Sequence, residues 1–574
     1  MVPAPPGAIK RRLRDSGNYN RLRSQNGIVA GAGLFARASD KMINTSYGRR
    51  GIAVASHSLA AQSALAVLRD GGDALEAMVA AAATIAVVYP HMTGIGGDGF
   101  WLVSAPDASP VAIDACGPAA RAATVASYRE RRLDAIPARG PLAANTVAGT
   151  VGGWALALEL SRARWGGKLP LSRLLEDAIH YAEAGVPATA SQEANTRAKR
   201  AELEAVPGFA GRFLPGGDAP RRGAMFRQPV MAATLRRLAR AGLDDFYRGE
   251  LARAMAQDLS AAGSPLALAD LEGYAAREVQ PLELAHAAGR LYNMTPPTQG
   301  AVSLAILGIL ERLGLARMAP DSADHVHAVV EATKVAFLHI RNPHLTDPAD
   351  MSVPAQELLA AGRLDALAAQ IDMNRARPWP GGSKPGGTIW MGVIDGAGRA
   401  VSFIQSIYHE FGSGLVLPAT QVNWQNRGCS FSLDEASINR LRPGKKPFHT
   451  LNPALARLAD GRVMVYGTMG GDGQPQTQAA VFTRHVVFGQ PLQAAVSAPR
   501  WLLGRTWGSA SETLKLESRF ASVIADELRR RGHDLETVGA YDEIMGHAGA
   551  LVRHPDGALE GAADPRGDGC VAGY

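Results

Sequence analysis

Gly386-Gly387-Thr388-Ile389-Trp390-Met391-Gly392-Val393-Ile394-Asp395 is the stretch on which the fold turns. The run leading into it, Arg377 to Gly387, reads Arg-Pro-Trp-Pro-Gly-Gly-Ser-Lys-Pro-Gly-Gly, too rich in Pro and Gly for a helix or a sheet interior. From Thr388 the pattern becomes β-rich and ends in a turn at Asp395 to Gly398. A second strand, Ala400 to Ile404, returns from it to make a hairpin. A hydroxyl residue that opens a strand behind such a linker is where a self-processing N-terminal nucleophile sits. Cleavage before Thr388 would give its hydroxyl a general base on the same residue, the freed α-amine. That amine has a reference pKa of about 8, so near neutral pH a useful fraction can accept the proton. Taken alone, the pattern also describes an ordinary edge-strand threonine after a surface loop.

Working outward, the chain has 574 residues, 47% hydrophobic and 20% charged, enough for a large layered core. No apolar run approaches the ~18 residues that span a bilayer, so no membrane partner is expected. The net charge is +7, but residues 1–41 hold eight basic residues against Asp15 and Asp40, leaving a nearly neutral body. Nucleic acid is therefore not an expected partner. Residues 1–41 read as a disordered basic extension, with Met42 as a candidate start. The three cysteines, Cys116, Cys429 and Cys570, show no paired spacing and fit a reducing compartment; a cytoplasmic location is expected.

The body begins with a strand, Ile52 to Ala55, and two alanine-rich helices, Leu59 to Leu68 and Ala74 to Val88, with Asp73 and Glu76 as a capping pair. Pro90 to Gly99 follows, then a strand from Phe100 to Ser104. Gly94, Gly96 and Gly99 match G-x-G-x-x-G, but a helix precedes and a strand follows, the reverse of a dinucleotide site. The loop reads instead as glycine for close backbone packing. Residues 150–345 read as mostly helical. His325, His327 and Glu331 lie on one such helix without a third ligand at metal spacing, so a structural helix is expected there. The last third is strand-rich and ends in a polar, glycine-rich tail from Gly561.

Two further segments change the weight of Thr388: Phe411-Gly-Ser-Gly with Asn423-Trp-Gln-Asn-Arg427, and Tyr466-Gly-Thr-Met-Gly-Gly-Asp-Gly-Gln474. Paired glycines such as Gly470-Gly471 can aim successive N–H groups at one oxyanion. Together with the Pro90–Phe100 loop, Pro447 to Pro453 and Asp564-Pro-Arg-Gly-Asp-Gly, these segments resemble the γ-glutamyltransferase family of N-terminal nucleophile hydrolases. The resemblance runs from about Gly51 to Tyr574. It implies an α+β, four-layer αββα sandwich made as a self-cleaving proenzyme, with a large subunit 42–387 and a small subunit 388–574. It also implies Thr388 as cleavage residue (with Gly387) and nucleophile, and Gly470 and Gly471 as oxyanion hole. No metal or organic cofactor is implied. A dimer of heterodimers is compatible with this scheme, the oligomeric state being open.

The substrate pocket departs from the family. Cys116 stands where a γ-glutamyl enzyme carries an arginine for the α-carboxylate, Ser430 where it carries an acid, and His449-Thr450 where it carries paired serines. The pocket gains Arg427, beside Asn426, with Ser406, Tyr408, His449 and Thr450 as further substrate-binding candidates. Bulky Trp390 and Tyr408 are expected to shrink the site. An arginine fork suits a carboxylate, so a small anionic amide without an α-amine is the expected substrate. The Thr-Ile-Trp-Met-Gly-Val, Ser-Ile-Tyr and Trp-Gln-Asn-Arg-Gly segments are similar to the oxamate amidohydrolase branch, which converts oxamate to oxalate and ammonia in purine degradation. Two other readings stay open: a γ-glutamyl hydrolase or transferase acting on glutathione-like substrates, and an uncut, non-catalytic relative.

Overall fold

The computed structural model describes residues 44–379, 387–504 and 511–574. The extension expected to be disordered and the candidate start at Met42 lie outside them, as does most of the linker ahead of Gly387. In chain order the strands of the two main sheets are β1 (Ser46–Gly48), β2 (Gly51–Ala55), β3 (Asp98–Ser104), β4 (Val111–Ala115), β5 (Arg277–Val279), β6 (Leu282–His286) and β7 (Gly289–Asn293). They continue with β8 (Gly387–Asp395), β9 (Ala400–Tyr408), β10 (Ala454–Leu458), β11 (Val463–Thr468), β12 (Ala548–Arg553), β13 (Leu559–Ala563) and β14 (Cys570–Gly573). One seven-stranded sheet runs β14-β2-β8-β9-β3-β4-β5 and the other β1-β13-β12-β11-β10-β7-β6.

Period-two alternation builds the layers. Ile52, Val54, Phe100, Leu102, Trp390, Ile394 and Ile404 meet Leu455, Val465 and Leu551 of the other sheet in one buried cluster between the sheets. Their neighbours Ala53, Ala55, Trp101, Val103, Met391, Val393 and Phe403 face the opposite way, into a cluster with helices α1 (Ser58–Arg69) and α2 (Ala74–Val88). On the second sheet Ala456, Met464, Tyr466 and Val552 likewise turn outward, against helices α3 (Gly300–Arg312), α4 (Ala323–Ala336) and α5 (Gln474–Phe482). The result is helix, sheet, sheet, helix, the expected four layers. The expected capping pair is present: Asp73 accepts from the amides of Leu75 and Glu76, and Glu76 accepts from that of Asp73.

Residues 150–345 are mostly helical, as expected, and also supply β5 to the edge of one main sheet and the antiparallel pair β6–β7 to the edge of the other. One expectation is corrected. The segment from Gly561 is not a tail: β13 and β14 are strands of opposite sheets, and between them Arg566 forms buried ion pairs with Glu517 (2.7 Å) and Asp564 (3.0 Å). Among the described residues no helix is long and apolar enough to cross a membrane.

Candidate active site

Thr388 sits at the start of β8, where the pairing with β9 slips: Gly387 faces Tyr408 and Ile389 faces Gln405, so Ser406 and Ile407 together stand opposite the one threonine. Such a bulge re-aims the local side chains. Thr388 is fully buried and its Oγ1 lies 3.4 Å from Ser406 Oγ, which in turn accepts the Tyr408 amide at 2.8 Å. Tyr408 closes the bulge at φ 78°, a left-handed conformation that is a genuine outlier for a bulky residue. The glycine loop packs on the same strand end. A Cβ on Gly97 would lie 2.1 Å from the Ser406 carbonyl oxygen, and one on Gly96 2.3 Å from that of Asn423. These glycines serve close backbone approach, not a dinucleotide.

At the end of β11, Gly470 (φ 116°) and Gly471 (φ 54°) are both left-handed, and among the described residues neither N–H is donated to a backbone carbonyl. Successive amides turned this way form a nest for an anion. Gln299 Nε2 fixes the loop by donating to Gly471 O (3.0 Å) and Thr450 O (2.7 Å). Asp472, next in sequence, is held by Arg341 at 2.8 Å.

Arg427 is 1% exposed, and none of its three guanidinium nitrogens has a hydrogen-bond partner among the described residues. Its planar group lies 3.8 Å from the centre of the Tyr408 ring, a cation–π stack that holds the plane while leaving the donor edge unspecified. Burial lowers its pKa, opposed by Tyr408 and Asp98, yet a guanidinium remains charged. Buried donors without acceptors are rare and ask for a ligand. His449 and Thr450 add to the set: both ring nitrogens of His449 and the Thr450 hydroxyl are buried without hydrogen-bond partners. Burial, then Arg427 and Lys446, keeps His449 neutral, its pKa well below the usual imidazole range. Asn426 does something different from the rest: its Oδ1 accepts the His409 amide (3.0 Å) and its Nδ2 donates to Ala138 O (2.7 Å), so its amide shapes the loop that carries Arg427.

Asp98 was missed by sequence reasoning. It is the one acid in the Pro90–Gly99 stretch, which was the available signal, and it faces Ser406 directly across β3 and β9. Its Oδ1 accepts the amides of Gly117 (3.2 Å) and Gly149 (3.0 Å), while Oδ2 lies 3.4 Å from His449 Nε2. Cys116 does not reach toward a ligand; its thiol is buried and donates to Asp114, which is also paired with Lys446. Ser430 donates to Phe448 O at 3.1 Å. Trp390 fills the inter-sheet layer beside the site, bonded through Nε1 to Ser402 Oγ at 2.9 Å.

The helical histidines gain a third neighbour from far along the chain. The donor atoms of His327, Glu331 and His533 all lie within 4.8 Å of one another. Each is already engaged: His327 with His533 (2.8 Å) and Asp372 O (2.9 Å), Glu331 with the buried Lys334 ammonium (2.7 Å) and the Arg377 amide (3.0 Å). The cluster acts as a clamp on the segment that leads to Gly387. His325 points elsewhere, to Thr483 Oγ1 at 3.0 Å.

The site thus holds a buried threonine hydroxyl on a bulged strand, a glycine nest and a buried guanidinium, and comparison with known proteins gives the family. Residues 60–574 match the model of the family described as Gamma-glutamyltranspeptidase. The chain belongs to that family. It is 59% identical over 533 residues to the oxamate amidohydrolase proenzyme of Klebsiella pneumoniae, covering 93% of this chain and 100% of that one. It is 39% identical to a glutathione hydrolase-like proenzyme of Bacillus subtilis, over 92% and 99% of the two chains. Among solved structures, a cephalosporin acylase from Bacillus halodurans superposes with a TM-score of 0.85 at 33% identity, covering 94% of this chain and 99% of that one. As a gamma-glutamyltranspeptidase-family member the chain is an amide-hydrolysing enzyme derived from a precursor. Cys116 and Ser430, which the resemblance sets at the positions of the head-group clamps, are both turned to internal partners.

Proposed function

We propose that this chain cleaves itself between Gly387 and Thr388 and then hydrolyses a small carboxylate-bearing amide, with oxamate as the best match. The observation that carries the reading is Arg427, a fully buried guanidinium stacked on Tyr408 with no hydrogen-bond acceptor among the described residues. A bidentate carboxylate supplies what that group lacks. Two contacts, Tyr408 to Ser406 and Ser406 to Thr388, connect it to the nucleophile. The nearest relative in sequence among those named above is an oxamate amidohydrolase proenzyme.

In the mature enzyme the α-amine of Thr388 accepts the proton of its own hydroxyl, which attacks the amide carbonyl carbon. The N–H groups of Gly470 and Gly471 hold the oxyanion; removal of one such donor costs on the order of 10²–10³ in rate. Ammonia leaves with the proton returned by the amine, and water attacks the acyl-threonine ester to release the acid. Thr388→Ala is expected to remain one uncut chain without turnover. N-terminal sequencing and an ammonia-release assay, with oxamate beside a γ-glutamyl anilide, test the whole reading. A cut, active Thr388→Ala protein would overturn the nucleophile, and release of the anilide's amine without oxamate turnover would move the substrate to the γ-glutamyl class.

A further inference from the structure

Helix α4 presents His327 and Glu331 on one face, a single turn apart. His533 meets them from 206 residues further along the chain, out of the turn between the helix Ser522–Arg530 and the strand Leu535–Val538. Its amide donates to Leu528 O at 3.1 Å, which fixes that turn. All three side chains are buried. Among the described residues they are the one set of three His, Cys, Asp or Glu whose ligand atoms all lie within 4.8 Å of one another. We propose that His327 Nδ1, His533 Nε2 and the Glu331 carboxylate form a binding site for a zinc-like divalent transition-metal ion. The site shares no residue with the one around Thr388 and Arg427, and it draws ligands from both sides of the proposed cut.

The hydrogen bonds set the imidazoles for ligation. His327 Nε2 lies 2.9 Å from Asp372 O. A carbonyl only accepts, so Nε2 carries the ring proton and Nδ1 keeps its lone pair. Metal-ligating histidines are held in this way, the other ring nitrogen donating to a backbone carbonyl or a carboxylate. The Nδ1 lone pair meets His533 Nε2 at 2.8 Å, so one proton lies between the two rings. A cation in its place takes both lone pairs once His533 carries its proton on Nδ1 instead. Tetrahedral nitrogen and oxygen ligands at about 2.0–2.1 Å stand about 3.3 Å apart, so the rings open slightly and the carboxylate swings inward. Two imidazoles and one carboxylate suit zinc and its neighbours, whereas magnesium and calcium take oxygen ligands. Burial lowers the pKa of both histidines, which keeps them in the neutral form that ligates.

The surrounding charges set the terms of binding. Glu331 already serves Lys334, whose ammonium lies 2.7 Å from Oε1, and accepts the Arg377 amide on Oε2 at 3.0 Å. Each carboxylate oxygen retains a further lone pair. Lys334 is thus the resident cation with which a metal competes, and Arg377 O is a second acceptor that holds it when Glu331 turns away. Arg531, the other cation acting on His327 and His533, is matched by Asp324 at 2.5 Å and Glu527 at 2.8 Å.

The full-length protein, cut or uncut, is stripped with a chelator, dialysed, and titrated with Zn²⁺ by calorimetry and with Co²⁺ by visible absorption. The wild type is expected to bind one equivalent of Zn²⁺ with micromolar or tighter affinity and to give the ligand-field bands of a nitrogen–oxygen site with Co²⁺. The chain has 14 histidines, so variants assign the site. His533→Ala is expected to weaken Zn²⁺ by about 100-fold or more and to abolish the Co²⁺ bands. His533→Phe, which keeps the ring's volume, serves if the alanine variant does not fold. Lys334→Met, which removes the competing cation, is expected to bind Zn²⁺ more tightly. Zn²⁺ should raise the melting temperature of the wild type and leave that of the His533 variant unchanged. No stoichiometric Zn²⁺ binding by the wild type, the same affinity and Co²⁺ bands in the His533 variant, or weaker binding in Lys334→Met would overturn the site.

Discussion

At the residue scale the proposed substrate side of the site rests on Arg427. Its donors are buried and unaccepted while its plane is held by Tyr408. Removing one partner of a desolvated charge pair costs about 2–5 kcal/mol, so Arg427→Ala is expected to lower kcat/KM for oxamate by roughly 30-fold or more. Arg427→Lys recovers little, because an ammonium lacks the planar fork. Self-cleavage is expected to survive either change, since among the described residues Arg427 donates no hydrogen bond to Thr388; N-terminal sequencing beside steady-state kinetics checks both parts. The arginine was legible in the sequence as a gain against a missing clamp. Asp98 was not, because an acid inside a glycine loop reads as a turn residue until the strand register sets it opposite Ser406.

At the element scale the inter-sheet layer is built around one indole. Trp390 projects from central strand β8 between Gly467 and Gly549, which pair with each other on β11 and β12. A Cβ on Gly467 would lie 2.2 Å from Trp390 Cδ1, and one on Gly549 2.7 Å from Trp390 Cζ3, so the indole occupies the space that both glycines leave. Overpacking of this kind costs about 1–3 kcal/mol. Gly467→Ala is therefore expected to lower the melting temperature, and adding Trp390→Leu to restore part of it, as read by thermal unfolding of the two variants. Elements with strong local signals were readable: the β8–β9 hairpin, the alanine-rich α1 and α2, and the Asp73–Glu76 cap. The β6–β7 hairpin was hidden because five-residue strands give too few alternations to stand out among helices. Strands β13 and β14 were hidden for another reason. Their small residues, such as Gly561, whose added Cβ would meet Val571 at 2.6 Å, exist for close sheet contact and carry little β-propensity.

At the scale of the whole molecule the proposed cut falls inside a sheet. Strands β8, β9 and β14 belong to the small-subunit side of Gly387–Thr388, yet β2 lies between β14 and β8, and β9 pairs with β3. The large-subunit end is held as well: Lys334 donates to Arg377 O at 2.5 Å, and Trp379 Nε1 donates to Glu512 at 3.3 Å. The two fragments are expected to co-elute as one particle on size exclusion and to separate only in denaturant; separate elution under native conditions would contradict the interleaved arrangement.

That interleaving also gives the molecule a history. Each main sheet draws strands from both sides of the proposed cut, so the cleaved enzyme would occupy a state reached through a chain that no longer exists. After complete unfolding, the uncut Thr388→Ala chain can regain its structure as a single polymer, whereas the mature pair must find each other strand by strand. Once cut, the enzyme is therefore expected to be maintained by the slowness of its unfolding rather than by a reversible equilibrium.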